Sequence, residues 1–361
     1  MIDDRAYLVA LARFPKFGPI KLGRLIRRFP SFERIFTASV LDLIEAGIES
    51  KLANRFLQER IHINPEQEWS QIIRHGISVV TIKDEHYPPL LKEIHNPPPL
   101  LFYRGTLPDW SQKHIGVVGS RKATSYGIRA CEDLVRTLAQ HGTVIVSGLA
   151  YGIDATAHQT TIEAEGVTIA VLGSGIDDES IYPARHRALV SRIIASGGVI
   201  LSEFPIGTPP LKQHFPIRNR IIAGICHGTL VVEAAIKSGS LITARSALDS
   251  NRDVYAVPGP IYEPLSEGPN ELIKQGAAAV TVAADILGHE AVSAKPVAKS
   301  NYKPASEDEK ILFEALSKTP VHIDELIRKT KLGSSVVSAT LTLIELKGGA
   351  RHEGGSFYSK T

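Results

Sequence analysis

Arg121 and Lys122 follow directly on Gly119 and Ser120 within the run Ile115 to Gly127 (IGVVGSRKATSYG), and residues of these types at this spacing suit the holding of an anion. The apolar residues Ile115, Val117 and Val118 predict a strand, Gly119 to Lys122 a tight turn, and Thr124 or Ser125 the cap of a following helix. Backbone N–H groups in the first turn of a helix have no partners inside it, and the helix dipole adds partial positive charge there. Two full cations at the same place strengthen the preference.

Four further stretches are similarly small and polar: Ser147 to Asp154, Gly173 to Asp177, Glu203 to Arg220 and Ser238 to Thr243. Each is expected after a strand, where glycine lets the backbone approach a ligand, so together they predict an amide-rich shelf on one edge of a sheet. A dinucleotide is not the expected occupant. Gly116 and Gly119 do not begin a G-x-G-x-x-G pattern, no ribose-binding carboxylate ends the second strand, and no G-x-x-x-x-G-K-[ST] occurs. A chain of phosphates fits better, because Lys212, Arg218 and Arg220 add cations and Phe215 lies among them as a ring for base stacking. Taken singly, each has a structural alternative: Phe215 in a core, Arg220 paired with Glu203 or Glu233. Their concentration in the turns favours the nucleic-acid reading.

Asp154, Asp177, Asp178, Glu203 and Glu233 keep an enzyme in view. Asp154 is more economically a helix N-cap, Glu203 or Glu233 an arginine partner, and His158 a capping or packing residue. No Ser-His-Asp order, H-E-x-x-H or paired-cysteine site appears, and thirteen histidines lack ligand spacing. Cys131 and Cys226 are expected as buried small apolar residues. Neither a metal nor another cofactor is expected.

The elements that must position these residues are legible as alternation. Apolar strands are predicted at Ile115–Val118, Val144–Val146, Thr168–Leu172, Val199–Leu201, Thr229–Val232, Asp253–Val257 and Ala278–Val280, separated by amphipathic helices. That is an α/β class, a doubly wound and mostly parallel sheet, which the family resemblance given below makes an extended Rossmann-like one. Residues 1–64 read as a small helical domain with a break at Phe17-Gly18-Pro19 and cations at Lys21, Arg24, Arg27 and Arg28. This suits either a helix-hairpin-helix-like contact to a DNA backbone or a solvated face on an interaction module. The core is expected over 65–288, beginning with a helix, a strand at Ile77–Ile82 and an ordered proline-rich connector before a strand at Leu100–Tyr103. A linker is expected over 289–305. Residues 306–361 give three helices, a basic turn (Lys347, Arg351, His352) and a short strand at Ser356–Tyr358, the order of a winged helix. Its third helix offers mainly Ser, Thr and Val, so protein interaction or weak DNA binding is expected of it.

A formal net charge of +3 over 361 residues places any polyanion binding in local clusters, and 43% hydrophobic residues suffices for real cores. No stretch reaches the ~18 apolar residues of a membrane span, so a cytoplasmic protein is expected.

The runs GSRKATSYG, SGLAYGIDATAH, GSGIDDESIYP, SEFPIGTPPLKQHFPIRNRIIAG and VVEAAIKSGSLITARSAL resemble, in order, the motifs of the DNA-processing protein A (DprA/Smf) family, over roughly Tyr87 to Gly288. The resemblance implies a Rossmann-like core that binds single-stranded DNA without a cofactor, forms a homodimer, protects incoming single strands and loads the RecA recombinase in natural transformation. It also implies a SAM-like N-terminal domain and a C-terminal winged helix. By position it places the family's arginine on Arg121, its lysine on Lys212 and its stacking phenylalanine on Phe215. The set expected to meet nucleic acid is Ser120, Arg121, Lys122, Gly148, Lys212, Phe215, Arg218, Asn219, Arg220 and Ser240. Tyr151 stands where some members have arginine, and either weakens a cation site or adds a ring. The rival is a nucleotide-hydrolysing (LOG-like) enzyme, whose P-G-G-x-G-T-x-x-E motif is not matched at Lys237 to Leu241. A scaffold that acts without DNA through its terminal domains is the third reading.

Overall fold

Strands β1 (Ser78–Thr81), β2 (Leu100–Gly105), β3 (His114–Val118), β4 (Val144–Ser147), β5 (Thr168–Leu172), β6 (Val199–Ser202), β7 (Gly228–Val231), β8 (Asp253–Ala256) and β9 (Ala278–Ala279) form one sheet in the order β1-β2-β6-β5-β4-β3-β7-β8-β9. They come from a computed structural model that describes residues 3–288, 302–317 and 319–360. β3 to β7 are buried along their whole length, the pattern of strands covered on both faces. From β6 across to β9 the pairing is parallel, and β2 and β1 extend the β6 edge antiparallel. The chain lays down β3 to β6 outward on one side, then returns past β3 to add β7. The order therefore reverses between β3 and β7, and a crevice opens at their carboxyl ends.

Helices α1 (Asp4–Ala12), α2 (Pro19–Arg28), α3 (Phe32–Thr37), α4 (Val40–Glu45), α5 (Ser50–Arg60) and α6 (Pro65–Arg74) precede the sheet, and α7 (Pro89–Lys92) lies between its first two strands. Next come α8 (Ser125–Gln140), α9 (Ile153–Glu163), α10 (Arg187–Ala195), α11 (His214–Ile225), α12 (Gly239–Asp249), α13 (Glu267–Lys274) and α14 (Ala284–Leu287). Alternate residues of β3 divide between the two faces, as the pleat requires. Ile115 and Val117 pack with Cys131, Leu134 and Leu138 of α8, whereas Val118 packs with Ile221 and Ile222 of α11 and Ala244 and Ala247 of α12. Both cysteines are buried and free.

The boundary expected at residue 64 is not a break in the structure. Phe14, Phe17, Phe36 and Phe56 meet ring to ring, and their core continues without interruption into Phe102 of β2, Leu149, Ile176 and Leu189. The described residues up to 288 make one compact unit. The proline-rich connector is ordered as expected: Ile82 N–H donates to the Pro99 carbonyl at 3.0 Å, and the buried Tyr87 hydroxyl to the Pro98 carbonyl at 2.7 Å.

The second unit holds α15 (Glu307–Ala315), β10 (Val321–His322), α16 (Ile323–Thr330), α17 (Ser334–Leu346), β11 (Ala350–Gly354) and β12 (Phe357–Lys360). It is a winged helix around Leu312, Leu326, Val337, Leu341 and Ile344. Two details differ from expectation. Arg351 and His352 lie in a strand rather than a turn, because β11 pairs with β12, and β10 adds a third strand to that sheet. Most of the expected linker, 289–301, lies outside the described residues. No helix among the described residues is long and apolar enough to cross a membrane.

Candidate nucleic-acid interface

The loops after β6, β5, β4, β3 and β7 follow one another along the carboxyl edge of the sheet, as the five polar stretches predicted. Glycines let two of them touch. Gly152 has φ +71°, and a Cβ there would stand 2.2 Å from the Ser120 carbonyl oxygen, which accepts the Ile153 N–H at 3.2 Å. The Gly119-to-Thr124 turn is thus pressed onto the start of α9. Across the crevice, Glu233 after β7 accepts from Thr124 N–H at 2.9 Å and from its hydroxyl at 2.5 Å. Thr124 itself caps α8, accepting from Gly127 N–H.

Held on this turn, Arg121 is exposed, and its guanidinium carbon lies 5.4 Å from the centroid of the Phe215 ring. Both border a cleft with Gly148, Ala150, Tyr151, Tyr182, Pro183 and Arg218. Tyr182 is 44% exposed with its ring 5.9 Å from that of Phe215, and Tyr151 is 39% exposed and packs edge-on against His186 at 4.9 Å. Phe215 is seated against Gly173, where a Cβ would come within 3.0 Å of the ring. The loop that delivers Lys212 and Phe215 is braced by buried Asp177, which accepts from Gly207 N–H at 2.8 Å and from the Ser180 hydroxyl at 2.7 Å. Lys122 and Lys212 are exposed. Arg121, Lys122, Lys212 and Phe215 are therefore presented as cations and a ring on one edge, as expected.

The other predicted contacts are spent inside the protein. Phe215, Arg218, Asn219 and Arg220 lie on α11 rather than in a loop. Arg220 Nη2 donates to both carboxylate oxygens of Glu203, at 2.6 and 2.5 Å, and Nη1 donates to the Asn96 carbonyl, so the side chain fastens the proline-rich connector rather than standing free for a phosphate. Arg218 is 4% exposed and donates to the Gly148 and Val171 carbonyls and to Asn219 Oδ1. Burial pushes its pKa down to about 10, with Asp154 opposing, so it stays protonated at neutral pH and places a fixed positive charge beneath the cleft. Gly148 makes room for that guanidinium: a Cβ would lie 2.6 Å from Arg218 Nη2. Asn219 donates to the Gly239 carbonyl, and Ser240, 8% exposed, bonds Ser238 at 2.7 Å in the cap of α12. Ser120 is half-buried and its hydroxyl accepts from Lys122 N–H at 3.1 Å, shaping the turn.

Asp154 does not cap α9, which begins after Gly152. Its carboxylate accepts from the N–H groups of Gly148 and Ala150 and braces the loop after β4. Burial raises its pKa, and Arg218 works against the rise. His158 is a packing histidine: it is fully buried, bonds the Thr168 hydroxyl at 2.7 Å, and burial holds its pKa at about 3. Among the described residues, no cluster of His, Cys, Asp and Glu could hold a metal ion. Tyr182, in the run GSGIDDESIYP, has no local sequence signal for a role at the cleft, because only folding sets its ring beside Phe215.

A family model described as DNA recombination-mediator protein A matches residues 78–290, and one described as the DprA winged helix domain matches residues 296–356. The chain is 45% identical to Protein Smf of Escherichia coli (strain K12) over 246 residues, covering 68% of this chain and 65% of that protein. It is 33% identical to Protein Smf of Synechocystis over an alignment of 397 residues that covers 99% of both. Among solved structures it is similar to DNA processing protein A from Streptococcus pneumoniae, with a TM-score of 0.62 and 35% identity over 74% of this chain and 96% of that one. It is also similar to DNA processing protein A from Helicobacter pylori, whose structure concerns a single-stranded DNA binding mode. There the TM-score is 0.52 and the identity 28%, over 58% of this chain and 94% of that one.

Proposed function

The chain belongs to the DNA recombination-mediator protein A (DprA/Smf) family, and we propose that it binds single-stranded DNA along the carboxyl edge of its sheet, as a non-catalytic protein. The observation that carries this reading is the Arg121–Phe215 pair, a cation lying over a ring at the mouth of a cleft that two further exposed tyrosines border. A phosphate held by Arg121, Lys122 and the turn amides leaves its base free to stack on Phe215, and any base has a π-face to offer, so binding is indifferent to sequence. Arg218, charged and buried beneath the cleft, adds positive charge there that the Asp154 carboxyl opposes in part.

The absence of catalysis is supported by where the carboxylates point. Asp154, Asp177, Glu203 and Glu233 each accept hydrogen bonds that hold loops in place, which weighs against the LOG-like hydrolase reading. Function in DNA processing during transformation follows from membership of the family. Protection of incoming strands, loading of RecA, a homodimer that places two clefts on one strand, and residence in the cytoplasm complete the proposal.

The test is fluorescence anisotropy of the full chain with labelled oligothymidylate and with duplex of equal length. Wild type should favour the single strand, and Phe215→Ala should weaken that binding alone. Equal affinity of wild type for both forms contradicts the reading.

A further inference from the structure

Positive charge is concentrated far from even in this protein. The whole chain carries +3, yet no carboxylate occurs between Asp4 and Glu33, an interval that holds Arg5, Arg13, Lys16, Lys21, Arg24, Arg27 and Arg28. The fold gathers most of these on one surface. α2 buries Leu22, Leu25 and Ile26, and so turns Ile20, Arg24, Arg27 and Arg28 outward at i, i+4, i+7 and i+8, with Lys16 exposed just before the turn at Gly18. Arg24 Nη1 donates to the Gly47 carbonyl at 2.8 Å, which ties α2 to the turn between α4 and α5. Lys21 stands 3.9 Å from Glu49, and among the described residues no carboxylate pairs with Lys16, Arg27 or Arg28.

Unpaired cations on a rigid helix repel one another, and a polyanion relieves that repulsion. The chemistry of the polyanion follows from what the face lacks. Phe17 and Phe32 are buried, and no large ring is exposed anywhere on α1 to α5, so nothing here stacks a base. Cations without rings read the phosphate backbone alone, and charge density then decides. A duplex presents a charge about every 1.7 Å of its axis, twice the density of one strand, so the ~6 Å of helix axis from Arg24 to Arg28 faces about three or four duplex charges. This face belongs to the same compact unit as the cleft already described, and at the end of α1 Arg13 Nη1 donates at 2.8 Å to the carbonyl of Ile206, in the loop that delivers Lys212 and Phe215.

We propose that the solvent face of α2 is a second nucleic-acid contact, a backbone-binding surface for duplex DNA on the same compact unit as the single-strand cleft. The protein then engages a single strand and the duplex flanking it together. The proposal extends the single-strand reading but stands on separate residues, and its test separates the two.

The full chain and an Arg27→Glu/Arg28→Glu variant are titrated with oligothymidylate, a blunt duplex, and oligothymidylate joined to a duplex hairpin. Wild type should bind the joined probe several-fold more tightly than oligothymidylate. The variant should lose that advantage, bind the blunt duplex roughly tenfold more weakly with a salt slope flatter by about 2, and bind oligothymidylate within about twofold of wild type. An Arg27→Gln/Arg28→Gln variant, unchanged in circular dichroism, should show a smaller loss of the same kind, which separates charge from misfolding. A joined-probe advantage absent in wild type, or undiminished in the Glu variant, overturns the proposal. So does loss of binding to anionic lipid vesicles with duplex binding unchanged, which would assign the face to a membrane. Should Phe215→Ala leave oligothymidylate binding intact, the cleft reading fails while the duplex arm still reports on α2.

Discussion

Arg121 reaches across from the turn after β3 to lie 5.4 Å from the ring centroid of Phe215, which comes from the start of α11 after β6. Three strand positions separate β3 from β6 in the sheet, so the contact bridges the loops after β4 and β5 on the carboxyl edge. A cation–π contact at an exposed site stabilises by only about 0.5–1 kcal/mol, too little to lock either side chain against a ligand. Each is therefore available to a nucleotide: the guanidinium to a phosphate, the ring to a base.

Phe215→Ala should cost about 1–3 kcal/mol of single-strand binding with the salt slope nearly unchanged, because stacking releases no counterions. Anisotropy at two salt concentrations reads both quantities. A flattened slope would mean that Phe215 acts by holding Arg121 rather than by stacking.

Tyr182→Ala should also weaken single-strand binding by about 1 kcal/mol, the lower end for a stacking ring, since its exposed face borders the same cleft. Tyr182→Phe should keep most of that affinity. Loss in both variants would point to the hydroxyl instead of the ring.

Arg220→Ala should act on stability and not on binding. Removing the guanidinium leaves the half-buried Glu203 carboxylate and the Asn96 carbonyl without their partner, at a cost of about 2–3 kcal/mol, below the range for a fully buried pair. Thermal melting should show a large drop, while the folded fraction binds oligothymidylate as before. A stable Arg220→Ala protein with weakened binding would return this residue to the interface.

Stability should fall in mild acid. Burial holds His158 at about 3 and His114 at about 4, so both stay neutral in the folded protein at pH 5, whereas an unfolded chain binds a proton at each below about 6.5. More protons are bound unfolded than folded between about pH 4 and 6.5, so this contribution is full above that window and is lost as pH drops through it. The melting temperature at pH 5 should lie below that at pH 7.5, and His158→Gln should narrow the gap. An unchanged gap would mean that His158 is not buried neutral.

The doubly wound sheet was readable because fully buried strands repeat as short apolar runs, and each predicted strand falls within a residue or two of its observed bounds. The residues of the cleft divide differently. Arg121 and Lys122 were legible because a strand, a turn and a helix start are local features. Arg220 was not, since its partners Glu203 and Asn96 meet it only once the chain has folded, and a cation in a glycine-rich neighbourhood looks the same whether it faces solvent or a carboxylate. Gly148 misled for a similar reason: the space it leaves is filled by Arg218 from another element. That the helices of residues 1–64 share a core with Phe102 and Leu149 was not legible, because helical periodicity marks which faces are apolar and not what they pack against.

The central claim is that Arg121 holds a phosphate of a single strand. Binding of oligothymidylate by wild type and Arg121→Ala across a range of salt tests it most directly. For a site that neutralises ~4 phosphates, log K of wild type should fall with log salt at a slope of roughly −3, and the variant should bind more weakly with a slope flatter by about 0.7. Equal slopes and equal affinities in the two proteins would contradict the claim and move the strand elsewhere.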